Sequence, residues 1–283
     1  MKPVFGIDLT ENKKNTQIDG QIFMVQQPSA VLAQALEKST EKSQETVKRS
    51  QLPTPLRIAQ YACGFMAAMC FIGVGRADVT LDKAYENAPG IFWMGGICFA
   101  LWLVLWIFGK VKSKSVLSTE ESSQTFSHFE SVANSIYTEL GVPENAKEVD
   151  VLSFFYKVKN GKMKLSERGM QIAPYWVTAY KLFADTQNIY IANLEGKYAF
   201  SKAEMKNIQI VKKHIRVAGW NKETPPNKGI YKQYKLTVDQ YGCVHSKTYG
   251  ILELEHNGQG YELYIPCYEI PRIEKLTGLT AKE

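Results

Sequence analysis

The sequence predicts an α+β membrane protein: a two-helix transmembrane hairpin followed by a mostly β, partly open barrel that ends in a C-terminal helix. Three observations carry this reading. Ile58 to Gly75 (IAQYACGFMAAMCFIGVG) holds no charged residue over 18 positions, and Ile91 to Gly109 (IFWMGGICFALWLVLWIFG) none over 19. At ~1.5 Å per residue, runs of this length match the ~30 Å of bilayer hydrocarbon, where a helix satisfies every backbone group. From Val149 onward the apolar period falls to two, the period of a strand.

Taken in order, residues 1–55 form an N-terminal cytoplasmic segment. Asp8, Glu11, Lys13 and Lys14 interrupt its start, so it reads as no signal peptide and the first apolar run as an uncleaved anchor. Val4 to Leu9 and Gln21 to Gln26 read as short strands, with Asp19-Gly20 as turn chemistry. Pro28-Ser29 opens a juxtamembrane helix to about Arg49, with a short apolar stripe (Val31, Leu32, Ala35, Leu36) and an otherwise solvated surface. Pro53 and Pro55 break it.

The hairpin occupies 56–109, with spans 58–75 and 91–109. Lys38, Lys42, Lys48, Arg49 and Arg57 precede it and Lys110, Lys112 and Lys114 follow it, whereas the connecting loop holds only Arg76 and Lys83 among Asp78, Asp82 and Glu86. Basic residues stay on the cytoplasmic side, so the expectation is a multi-pass protein of the cell (plasma) membrane with both termini cytoplasmic. Gly64 with Ala68 and Gly96 with Ala100 are small pairs at helical spacing that let backbones approach in lipid. They imply that the two spans pack on each other, with a homodimer as the alternative use. Trp93 and Trp106 suit the two interfaces, and the absence of ionisable residues at membrane depth argues against a transporter or pump.

Residues 110–141 connect the hairpin to the following domain. Ser118, Glu120 and Glu121 suit a helix start, and Phe126, Phe129, Val132, Ala133, Ile136, Tyr137 and Leu140 recur at steps of three and four. Gly141 and Pro143 stop the helix. Its polar face carries too few basic residues for a helix lying on lipid, so the stripe is expected to be buried against the domain.

Residues 142–283 then read as a series of strands closed by one helix. The strands are Val149 to Val158, Val177 to Ala184, Ile189 to Leu194, Lys197 to Phe200, Ile208 to Val217, Tyr234 to Val238, Cys243 to Lys247, Gly250 to Glu255 and Tyr261 to Ile265, some of them short. Asn160-Gly161 and Asn257-Gly258 offer two-residue hairpin turns. Tyr268 to Thr277 reads as a helix with Ile270, Ile273 and Leu276 on one face, Pro271 in its first turn and Gly278 after its last.

The run LFADTQNIYIANLEGKYAFSKAEMKNIQIVKKHI, residues 182–215, resembles the centre of bacterial pleckstrin-homology-like (PH-like) domains: a strand, a polar turn, an Ile-Tyr-Ile strand, a short helical turn and a long basic strand. Such domains also end in a helix, here residues 268–277, and a preceding membrane hairpin is familiar among these proteins. The resemblance covers about 130 residues and implies a PH-like fold in a binding or assembly module. The long Trp220 to Gly229 insertion departs from its compact pattern.

Catalytic and cofactor signatures are missing: there is no G-x-x-x-x-G-K-[ST], G-x-S-x-G, H-E-x-x-H or paired C-x-x-C, and no cofactor is expected. Cys243, His245, His256 and Cys267 are the one set with metal-binding side chains, but they are scattered and the reading is no metal; His128 and His214 read as surface residues. Cytoplasmic cysteines stay reduced, so no disulfide framework is expected.

Charge is concentrated instead. The formal +6 belongs to residues 141–283, and between Lys202 and Lys235 nine basic residues face only Glu204 and Glu223. Lys212, Arg216 and Lys213 on the expected 208–217 strand, with Lys159 and Lys162 at the Asn160-Gly161 turn, are the candidate residues for binding a headgroup or partner. Strict alternation sets Lys212 and Arg216 on one strand face and Lys213 on the other. Nucleic acid is not expected as a partner, because the stretch lacks interleaved stacking aromatics. The leading expectation is a non-enzymatic, membrane-anchored adaptor that presents its domain to an unidentified protein partner. The alternatives are a sensor of anionic lipid headgroups at the inner leaflet, where each basic residue contributes about 1 kcal/mol, and an unrecognised enzyme.

Overall fold

The structure is a computed structural model. It describes residues 22–76, 85–86, 88–150, 180–217, 220, 222–239 and 244–283, together with the backbone of strands at 2–5, 7–8, 15–16, 152–159 and 162–166; side chains of 73–76 and 216 lie outside the description. It is an α+β structure whose contacts divide into two compact units, residues 34–132 and residues 1–33 with 133–283.

The first unit is helical. Helix α1 (Ala30–Ser50) ends before Pro53; α2 (Thr54–Arg76) and α3 (Pro89–Leu117) form an antiparallel pair; α4 (Glu120–Glu139) follows. Both α2 and α3 are long and apolar enough to cross a membrane. Large apolar side chains point outward all along them, including Tyr61, Phe65, Trp93 and Val104, each more than half exposed. The small residues at the α2–α3 contact differ by one position from the sequence expectation. Gly64 does lie against α3, because a Cβ there would come within 2.9 Å of the Trp102 ring, but the contact on α3 is Gly95, where a Cβ would meet Cys70 Cβ at 2.9 Å. Ala67 and Cys70 are buried, while Gly96 has nothing within 4 Å of an added Cβ and Ala68 and Ala100 are exposed.

Helix α1 also buries an unexpected face: Ser39, Thr40, Ser43 and Ser50 are covered and Val31 is exposed. Small hydroxyl side chains permit close approach, and Ser39 Oγ and Ser50 Oγ satisfy themselves on the carbonyls of Leu36 (3.0 Å) and Val47 (2.7 Å). Thr119 caps α4, its Oγ1 accepting from the Ser122 N–H at 3.2 Å.

The second unit is mostly β. One five-stranded sheet runs β1 (Lys2–Phe5), β16 (Gln259–Pro266), β15 (Tyr249–His256), β11 (Met205–Val211), β17 (Ala281–Lys282). A second runs β4 (Met24–Gln26), β10 (Gly196–Ser201), β9 (Asn188–Asn193), β8 (Tyr180–Ala184), β5 (Lys147–Val149). A third runs β13 (Thr237–Val238), β14 (Val244–Ser246), β12 (Ile215–Val217), β6 (Leu152–Lys159), β2 (Ile7–Asp8), β3 (Asn15–Thr16), with β7 (Lys162–Ser166) paired to β6. The N-terminal strands therefore do not form a segment of their own: β1 joins β16, β2 joins β6, and β4 joins β10.

The core is built from the alternate residues of these strands, among them Ile189, Ile191, Phe200, Ile208, Leu252, Tyr261 and Leu263. Helix α5 (Ile270–Thr277) closes one side with Ile270 and Ile273 buried and Leu276 half-buried. It packs closely because β15 carries Gly250, where a Cβ would come within 2.9 Å of Ile270 Cγ1. Asn257 and Gly258 both take positive φ (51° and 75°), the two-residue turn that joins β15 to β16. Val132 and Ile136 on α4 and Leu140 just after it are buried, as the sequence stripe predicts.

Two strands depart from expectation. The 208–217 run is broken: β11 ends at Val211, the Lys213 N–H bonds back to Val211 O at 3.1 Å, and β12 belongs to a different sheet. The physical reason is a change of phase, since Ile208 and Ile210 are even-numbered and Ile215 and Val217 odd, which one flat strand cannot place on a single face. The expected strand from Tyr234 is instead a 3₁₀ segment, Gly229–Tyr234, ended by Lys235 with φ 51°. Its three-residue turn sets Tyr231 and Tyr234 on one face. The turn at Asn160-Gly161 and the residues 167–179 lie outside the described residues.

Candidate functional site

The segment from Trp220 to Tyr234, whose first part, Trp220 to Gly229, is an insertion by the sequence pattern, walls a concave feature of the β unit. Trp220 Nε1 donates to Thr224 O at 3.0 Å and so fixes the bend of the segment. Its ring meets Tyr231 edge-on (centroids 4.9 Å) and Tyr268 at 5.1 Å; Tyr234 lies 6.3 Å from Tyr268 on another side. Tilted and edge-to-face contacts at these separations are favourable beyond the area they bury.

Against these rings lies a buried ion network. Lys222 Nζ is 2.5 Å from Glu269 Oε1 and 3.8 Å from Asp150 Oδ2, and Arg272 Nη1 is 3.2 Å from Glu269 Oε2. The Asp150 and Glu269 side chains are 1% and 5% exposed, which only paired charges tolerate. Tyr268 donates its hydroxyl to Asp150 Oδ2 at 2.7 Å. Burial, and then the Asp150 carboxylate, hold the Tyr268 phenol well above its ordinary pKa. Burial likewise raises Tyr231 and Tyr234.

Both cations also serve the backbone. Lys222 Nζ and Arg272 Nη1 donate to the carbonyl of Glu148 at 3.2 and 3.0 Å. Glu148 is the middle residue of β5, the last strand of its sheet, so the two side chains cap the outward carbonyl of a sheet edge. Edge strands covered in this way do not pair indiscriminately. Beside the cap is an open cleft of about 850 Å³ walled by β5, Lys222 to Thr224, Ile230 to Tyr234, and the start of α5. Two cations and two carboxylates cancel within its floor. The arrangement presents a concave shape, aromatic faces and a main-chain carbonyl held by two cations.

The basic residues singled out in the sequence are not brought together. Lys212 is exposed and pairs with Glu283 at 2.5 Å, and Lys213 is exposed beyond the end of β11. Arg216 lies in β12, in register with His245 and Ser153, whereas Lys212 follows the end of β11, a strand of a different sheet. Lys159 and Lys162 face each other across β6 and β7. At ~3.3 Å per residue they stand roughly 20 Å along β6 from the Arg216 position. The side chains of Arg216, Lys159 and Lys162 lie outside the described residues. Lys206 is paired with Glu255, and Lys222 is the network cation.

The scattered metal-type side chains also part company. His245 Nδ1 contacts His214 Nε2 and its Nε2 contacts Asp239 Oδ2, both at 3.1 Å; His256 Nδ1 contacts Glu204 at 2.9 Å; Cys267 Sγ contacts Ser246 Oγ at 3.2 Å. Cys243 lies outside the described residues, and among those described no three His, Cys, Asp or Glu side chains converge on one point. In the helical unit a smaller polar groove of about 390 Å³ lies between α1 and α4. Its Thr46 and Thr125 hydroxyls donate to carbonyls of their own helices, and Arg49 pairs with Glu45 and Glu121.

The cleft is not legible in the sequence because its parts are remote in the chain, at 148–150, 220–234 and 268–272. One local signal was present: Glu269 and Arg272 stand three apart at the head of an amphipathic helix, a spacing that pairs charges. No protein family, curated protein or solved structure matches the chain.

Proposed function

We propose that this protein is a two-span integral membrane protein, with both termini cytoplasmic, that presents a PH-like β domain as an adaptor to a protein partner docking at the Trp220–Tyr234 cleft. The observation that carries the reading is the cleft itself: aromatic walls over a floor whose charges are already paired. Such a surface gains from an apolar or aromatic anchor on a partner, the residue class that dominates protein interfaces. Ile230, 73% exposed at its rim, belongs to the same surface.

Membrane insertion is supported by α2 and α3, whose exposed side chains from Ile58 to Ile72 and from Ile91 to Phe108 are apolar. The basic residues flanking both helices support the orientation. The β unit followed by α5 supports the domain class. Anionic lipid recognition has less support, because Lys206, Lys212 and Lys222 each pair with a carboxylate and the local excess of positive charge is thereby divided.

The test is site-specific photo-crosslinking of the full chain in native membranes. A benzophenone side chain at Ile230 is expected to trap one discrete protein, and the same group at Lys213 is expected to trap none. Crosslinks to lipid alone from Ile230, or the same adduct from both positions, would overturn the adaptor reading.

A further inference from the structure

The adaptor reading leaves open what chemistry the cleft accepts, and the edge of β5 answers it. Among the described residues β5 carries a strand, β8, on one side only, with Glu148 opposite Lys181 in the register. The Glu148 carbonyl is turned to the cleft side, where side-chain donors from Lys222 and Arg272 occupy it. Both donors keep a second partner in Glu269, so an incoming backbone N–H can replace them at the carbonyl without leaving either charge unpaired. Exposed lysines accompany the lining residues along the chain: Lys147 lines the cleft itself, and Lys228, Lys232 and Lys235 stand within two positions of its lining residues Ile230, Tyr231, Gln233 and Tyr234, against the single exposed acid Glu223.

We propose that the cleft receives an extended, acidic peptide segment of the partner, which adds as a strand along β5, exchanges its backbone N–H for the Lys222 and Arg272 donors at Glu148, and sets alternate side chains against Tyr231 and Tyr234. Strand addition of this kind draws affinity from main-chain hydrogen bonds and specificity from pockets for every second side chain. With three residues in β5, the ordered part of the peptide spans about 10 Å at ~3.3 Å per residue, which a cleft of about 850 Å³ accommodates. Acidic residues on the peptide meet the exposed lysines and strengthen binding in low salt. The inference rests on the adaptor reading of the same cleft.

The experiment is selection of a random nine-residue phage-displayed peptide library against the full chain in nanodiscs of zwitterionic lipid. The result expected is enrichment of acidic sequences with aromatic or branched apolar residues at alternate positions. Their affinity should fall at least tenfold with Ile230→Asp, and again in the exposed triple variant Lys228→Glu, Lys232→Glu, Lys235→Glu. N-methylation at alternate peptide backbone positions should cost at least tenfold, and methylation at the intervening positions little. Enriched peptides that compete at Ile230 but tolerate every N-methylation overturn strand addition while leaving the adaptor cleft intact. Enrichment of basic peptides overturns the acidic class, and no enrichment sensitive to Ile230→Asp overturns both readings. Binding of the unmodified full chain to added vesicles of anionic lipid, lost in the triple lysine variant with no peptide enriched, would assign the rim to lipid instead.

Discussion

Lys222 and Glu269, 47 positions apart, form a buried ion pair that ties the 220–234 segment to the head of the C-terminal helix, with side chains 14% and 5% exposed. Breaking a buried pair from one side leaves an uncompensated charge, which costs about 3–5 kcal/mol; Arg272 stays near Glu269 and places the expectation for Lys222→Met at the lower end. Lys222→Met with Glu269→Gln is expected to recover only part of that loss, since Asp150, 1% exposed, still loses Lys222. Thermal unfolding of the full chain in nanodiscs, followed by near-ultraviolet circular dichroism, reads both. Equal melting temperatures for the wild type and Lys222→Met would remove the network from the stability of the fold.

A second prediction concerns acid. Asp185 Oδ1 accepts the Asn188 and Gln187 N–H groups at 2.7 and 2.8 Å, and Oδ2 accepts the Tyr190 hydroxyl at 2.8 Å. The Asn188 backbone bond first, then Tyr190 and Gln187, lower the Asp185 pKa from its ordinary value. A lowered pKa contributes stability that is present above the unfolded value near ~3.9 and is lost as pH falls through the folded value. The stability of Asp185→Asn should therefore depend less on pH below about 4 than that of the wild type. Parallel pH profiles for the two proteins would contradict the turn's role.

The helix pair offers a contrast between neighbouring glycines. Gly95→Ile drives a side chain into Cys70, and overpacking of this kind costs about 1–3 kcal/mol, whereas a Cβ at Gly96 has no described atom within 4 Å. In a background with the other cysteines replaced, alkylation of Cys70 in nanodiscs should accelerate in Gly95→Ile and not in Gly96→Ile. Acceleration by both would mean that the second glycine also faces α2, or that its exposed face is covered by another copy.

At the C-terminal helix, Ile273 is 2% exposed while Leu276 is half-buried. Ile273→Ala should cost ~2–5 kcal/mol, and Leu276→Ala clearly less. Chemical denaturation of the full chain distinguishes them, and equal losses would contradict the packing of α5.

Much of this fold is legible locally. The apolar runs, the Asn257-Gly258 turn, the Pro271 start and Gly278 end of α5, and the α4 stripe are each set by neighbours in sequence. What escaped depends on distant partners. The joining of β1, β2 and β4 to strands more than a hundred residues away has no local signature. The break at Lys212–His214 is marked in the sequence only by the phase change between Ile208 and Ile210 and Ile215 and Val217, and it divides the 208–217 run between two sheets. The cleft assembles from three remote pieces, so its ion pairs could not be read from spacing beyond Glu269 and Arg272.

The proposed topology, a hairpin through the membrane with the cleft on the cytoplasmic side, is measured by labelling single cysteines in intact cells with a membrane-impermeant maleimide. Asn87→Cys lies between α2 and α3, and Ile230→Cys is at the exposed cleft rim, each in a background with the native cysteines replaced. The account predicts labelling of Asn87→Cys without permeabilisation and of Ile230→Cys only after it. Labelling of Ile230→Cys in intact cells, or of neither position before permeabilisation and both after it, would contradict it.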